Sequence, residues 1–126
     1  MTEKKTPAKA EGLPVASLAD VLALDDSVTE WVDVPEWKSK VQIKSMTKAE
    51  QIKVRYMSTL KGVLDEAKFE GLLFVAGVTV PDFTPEHLPA LMEKNSGAIT
   101  RVVNRILVIN GMAEEVTEED DATFQD

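Results

Sequence analysis

Two short stretches of the chain alternate apolar and polar positions, and the longer stretches around them repeat apolar positions every three or four residues. In the first kind, Val32 and Val34 alternate with Trp31 and Asp33, and Val41 and Ile43 alternate with Lys40, Gln42 and Lys44. Two period-two segments joined by a short polar turn read as a β-hairpin. Pro35 has no amide proton to donate to a ladder, which places it at a strand end or edge. Ahead of the hairpin, Ser17 is positioned to cap a short helix with Leu18, Val21 and Leu22 on one face.

The helical signals follow the hairpin. Thr47 and Glu50 match the capping-box pattern, in which each side chain bonds the other residue's amide. Ala49, Ile52, Tyr56, Leu60, Val63 and Ala67 then form a stripe at helical spacing. The expectation is an inward-facing helix that Gly62 either breaks or kinks. A more apolar helix continues over 65–76 with Phe69, Leu72, Leu73 and Ala76 inward, and Gly77 stops it. Residues 78–83 read as a loop or short extended stretch. Thr84, Pro85 and Glu86 start another helix, and Ser96 caps a last one carrying Ile99, Val102, Val103, Ile106 and Leu107, with Gly111 as terminator. The fold class is therefore mainly α with one small β-hairpin, an α+β domain.

Charge divides the chain further. The 126 residues carry a formal net charge of −8, unevenly spread: −5 over 1–37, +5 over 38–68, −1 over 69–112 and −7 over 113–126. The acidity is thus concentrated at the end. Residues 113–126 have little apolar content and strong self-repulsion, which predicts a disordered acidic tail. Residues 1–16 read as a flexible arm, and 17–112 as a single folded domain. The lysines near the start are followed by no apolar run of the secretory kind, and nothing approaches the roughly 20 apolar residues of a membrane span.

Few kinds of chemistry remain open. The absence of cysteine excludes disulfides, thiolate metal sites and cysteine nucleophiles, and a lone histidine excludes a multi-histidine metal site. No serine lies in a nucleophile elbow, and the glycines form no phosphate-binding loop. His87, with only Glu86 and Asp82 near it in sequence, reads as a surface or packing residue. The expectation is a protein that is not an enzyme and needs no cofactor or metal.

The candidate contact residues lie on and after the hairpin. Lys40 and Lys44 share its polar face, within the basic stretch that continues through Lys48, Lys53 and Arg55. These cations serve as phosphate contacts, as ordinary solvated surface, or as a landing site for the acidic tail. Trp31 faces away from Val32 and Val34, so it is either covered by a helix or exposed as a partner anchor. Trp37 flanks the turn, and Phe83 ends a segment that reads either as a recognition loop or as a packed connector.

The segment VTEWVDVPEWKSKVQIKSMTKAEQ places a valine-rich strand, V-P-E-W, a basic strand and a capped helix in succession. It resembles the small tail assembly chaperones of siphophages and related prophages, whose pattern has V-P-E-W-G followed by V-x-V-R-x-L-T. The later stretch LLFVAGVTVPDFTPEHLPALMEKNSGAITRVVNRILVINGM is also similar to that group. The resemblance spans about residues 27–112, with Lys38 where the pattern often has glycine. It implies a non-enzymatic protein of the host bacterial cytoplasm. Such proteins bind the long helical tape measure protein, keep it soluble and help recruit tail tube subunits. Self-association is a further expectation. The alternatives are a structural tail or head–tail junction protein and, less favoured, a small nucleic-acid-binding regulator.

Overall fold

The structure, a computed structural model, describes residues 12–114. The expected arm over 1–16 and tail over 113–126 fall outside the described residues at 1–11 and 115–126.

A short helix, α1 (Leu18–Ala23), comes first, and Ser17 caps it by accepting from the Asp20 amide. Strands β1 (Thr29–Val34) and β2 (Ser39–Lys44) then form the expected hairpin, with Val32 opposite Val41 and Asp33 opposite Lys40. The connection is a 3-10 turn, Pro35–Trp37, closed by Lys38 in the left-handed region at φ 52°. That region favours glycine, because it carries a steric cost for any residue with a Cβ.

Helix α2 (Lys48–Met57) begins with the complete Thr47/Glu50 capping box. It is shorter than its apolar stripe suggested. Gly62 breaks the helical run: Lys61 and Gly62, both at positive φ, make a two-residue turn between β3 (Thr59–Leu60) and β4 (Val63–Leu64). Ser58, buried at the end of α2, donates its hydroxyl to the Val54 carbonyl at 2.7 Å.

Helix α3 (Glu66–Gly77), capped by Asp65, buries Leu72, Leu73 and Phe74. The segment expected to be a loop or short extended stretch is in part a third strand, β5 (Val78–Val80), which pairs antiparallel with β2 and gives the sheet order β1-β2-β5. After a 3-10 turn over Pro85–His87 comes the short α4 (Leu88–Leu91). Here the side chain of His87 accepts the Thr84 amide at 2.9 Å, which gives the lone histidine a capping role.

Helix α5 (Ser96–Ile109) closes the fold. Its cap is Asn95, not Ser96; the Asn95 carbonyl oxygen accepts from the Ala98 amide. Its C-terminus has both bonds of a Schellman motif, Gly111 to Val108 and Met112 to Leu107, with Gly111 at φ 70°. The inner side chains of α5, Ile99, Val102, Val103 and Ile106, pack with Val32, Val34, Val41 and Ile43 and with Phe74 of α3 into one core. The fold is α+β: the described residues form five helices and a small antiparallel sheet, with the second hairpin apart from it.

Candidate functional site

The sheet has two unlike faces. Val32, Val34, Val41 and Ile43 point inward against the helices, and Trp31, Asp33, Lys40 and Lys44 point outward and are exposed. Trp31 is 49% exposed on this outer face, with the Lys40 ammonium 5.0 Å from its ring centroid. A cation held over an indole face at that distance is attracted by the ring quadrupole. Gln42 lies between Lys40 and Lys44, and its side-chain oxygen accepts from the Thr79 hydroxyl of β5 at 3.2 Å. The outer face therefore combines one broad aromatic surface with two cations, beside an edge strand, β1.

The other two aromatic candidates lie elsewhere. Trp37 and Phe83 are both half-buried and flank Phe74, with ring centroids 6.2 Å and 5.3 Å from it at edge-to-face angles. Phe83 also meets the His87 ring. Both side chains pack against the core, so the structure brings Trp31, Lys40 and Lys44 together and separates Trp37 and Phe83 from them.

The acids of the same motif have structural partners. Glu36, in the turn, accepts from Arg101 Nη2 at 2.8 Å. Glu30, one turn of the pattern earlier on the inner face, accepts from Arg105 Nε at 2.7 Å and Nη2 at 2.8 Å. Arg101 and Arg105 are four residues apart on α5, so one face of that helix clamps the start of β1 and the turn that follows it. These bonds hold the carboxyls of Glu30 and Glu36 below the usual carboxylate range, the hydrogen bond from each arginine being the main cause. Apart from the i, i+4 spacing of the two arginines, nothing local in the chain announces these pairings, whose partners lie 65 and 75 residues away.

A second uncovered surface lies on α2. The stripe expected to face inward faces out: Ile52 is 60% exposed and Tyr56 79%, and Leu60 and Val63 on the β3–β4 hairpin are exposed too. The buried residue of this helix is Val54, on the opposite side. Periodicity located the stripe correctly, but a helix with apolar residues on both sides does not declare which one packs.

The described residues hold no group of three or more histidine, cysteine, aspartate or glutamate side chains placed to bind a metal ion. No helix among them is long and apolar enough to cross a membrane.

A sheet of order β1-β2-β5 backed by α3 and α5 has a counterpart among solved structures. The fold is similar to that of the protein YqbN. The crystal structure of YqbN, a structural genomics target, matches with a TM-score of 0.60 at 16% sequence identity, covering 79% of this chain and 100% of that one. At that identity the likeness to YqbN is one of fold. No protein-family profile matches the chain, and no curated protein does.

Proposed function

We propose that this chain is a non-enzymatic tail assembly chaperone of a siphophage or prophage. In this reading it acts in the host bacterial cytoplasm, where it binds the tape measure protein and helps recruit tail tube subunits around it. The motif resemblance over residues 27–112 suggests the family. The observation that carries the reading is the division between the two tryptophans: Trp37 packs on Phe74, whereas Trp31 stands half exposed on a sheet face beside Lys40. An exposed tryptophan ringed by polar groups is the usual form of a binding anchor, because its large area is desolvated only when a partner arrives. A long helix offering apolar side chains and carboxylates would find both an aromatic anchor and the two cations Lys40 and Lys44 on this face.

The reading is tested by following the protein through particle assembly. A chaperone is abundant in the lysate during assembly and absent from purified particles. Recovery from particles in fixed stoichiometry would make it a structural tail component instead.

A further inference from the structure

Among the described residues, nothing covers the outward stripe of α2, and the same residues include a second uncovered segment of matching chemistry. Residues 12–28 contain Leu13, Val15, Leu18, Val21, Leu22 and Leu24, all exposed at 51–96%, and α1 buries none of its residues. The segment also contains Asp20, Asp25 and Asp26 and no lysine or arginine. A run of six exposed apolar side chains on a short acidic arm is more than the scattered exposure common on protein surfaces.

The surface of α2 has the opposite sign. At about 100° per residue, Ile52 and Tyr56 point almost directly away from buried Val54. Lys48 and Arg55 then lie on one flank of the stripe and Lys53 on the other. Beyond this flank the surface falls into a groove of 280 Å³ between α2 and α3, lined by Val54, Met57, Leu72 and Val75 and by the charged side chains Lys53 and Glu50, the latter already holding the Thr47 amide. Apolar ridge, apolar groove and flanking cations complement an arm of leucines, valine and aspartates.

The arm leaves the body beside the start of α2, where Leu24, Asp25, Asp26 and Ser27 line a cleft with Lys44, Met46, Thr47 and Glu50. From there α1 extends with none of its residues buried among the described residues. We infer that the protein self-associates by exchanging arms: residues 13–24 of one copy lie along the Ile52/Tyr56 stripe and the α2–α3 groove of a second copy, and the second copy reciprocates. Such an exchange is isologous and closes as a twofold dimer. The two reciprocal contacts must together bury roughly 1,200 Å², the lower end of specific interfaces. This pairing uses a different surface from the Trp31 face and stands independently of the functional reading.

The experiment is light scattering on the full chain after size exclusion, from low micromolar to several hundred micromolar. The wild type is expected to dimerise with concentration. L18D/L22D on the arm and I52S/Y56S on the stripe are each expected to weaken the dimer by about tenfold or more, with unchanged circular dichroism. A charge exchange separates specific docking from loss of fold. D20K/D26K and K48E/K53E are each expected to weaken the dimer, and the four substitutions together are expected to restore it. A wild type that stays monomeric at every concentration overturns the proposal and means that the arm folds back on its own chain or waits for another protein. A dimer that the arm variants leave intact overturns it too, and assigns self-association to another surface.

Discussion

Arg105 grips Glu30 with two parallel hydrogen bonds, at 2.7 Å from Nε and 2.8 Å from Nη2, and so ties the last helix to the first strand across 75 residues of sequence. Fork-to-carboxylate geometry of this kind is directional as well as strong, and it fixes the angle at which α5 crosses the sheet.

The pair makes stability pH-dependent with a definite sign. Because the folded-state pKa of Glu30 is held down, chiefly by the bond from Arg105, its contribution is present above the unfolded carboxyl value and is lost as pH falls through the folded one. Glu36 acts in the same sense through Arg101. Glu30→Gln is therefore expected to cost about 1 kcal/mol at pH 7 and to flatten the loss of stability below about pH 4.5. Urea denaturation at a series of pH values measures both.

Lys38 adopts φ 52° at the end of the hairpin turn, where the resembling family often has glycine. Lys38→Gly removes the clash between Cβ and backbone and is expected to stabilise the fold by about 0.5–1 kcal/mol, net of the extra entropy glycine has when unfolded. Lys38→Val is expected to destabilise it, since a β-branched side chain fits that region worst. The midpoints of chemical denaturation decide the matter.

Helices α3 and α5 approach closely at Gly77, where an added Cβ would lie 2.6 Å from Ile106 Cδ1 and 2.9 Å from Cγ1. Gly77→Ala is expected to cost about 1–3 kcal/mol through overpacking. Ile106→Val removes the nearer of these atoms, so a double-mutant cycle is expected to show that the two changes together cost less than their sum.

The two tryptophans are expected to respond differently to truncation. Trp37→Ala opens the wall beside Phe74 and is expected to cost about 2–3 kcal/mol. Trp31→Ala, on the outer face, is expected to stay within about 0.5 kcal/mol of the wild type. Acrylamide quenching of the single-tryptophan variants gives the matching optical check, with the Trp31 signal quenched far more readily than that of Trp37.

Local signals in the sequence located the elements well. The Thr47/Glu50 box, the Ser17 cap, the alternation across the hairpin and the α5 stripe all depend on neighbours within four residues, and each appears in the fold. Long-range relationships were less legible. The pairing of Val78 and Val80 with β2 depends on partners some 35 positions away, and three residues carry too little alternation to announce a strand. The break at Gly62 was visible as a choice between a kink and a stop, and the positive φ of Lys61 beside it settles the choice for a hairpin turn. The stripe over Ala49, Ile52 and Tyr56 is legible as a stripe, but its outward direction is not, because Val54 and buried Ser58 pack from the other side of α2. At the candidate surface, alternation placed Trp31, Lys40 and Lys44 on one face. It could not show that Trp37 and Phe83 converge on Phe74, which comes from a third element.

In the proposed role, the Trp31 face holds a tape measure protein in solution. The most direct test of this role is the soluble fraction of that protein when coexpressed with the wild-type chain or with Trp31→Ser/Lys40→Glu. A large soluble, copurifying fraction is expected with the wild type, and its loss with the folded double variant. A tape measure protein that is equally insoluble with and without the wild-type chain would contradict it.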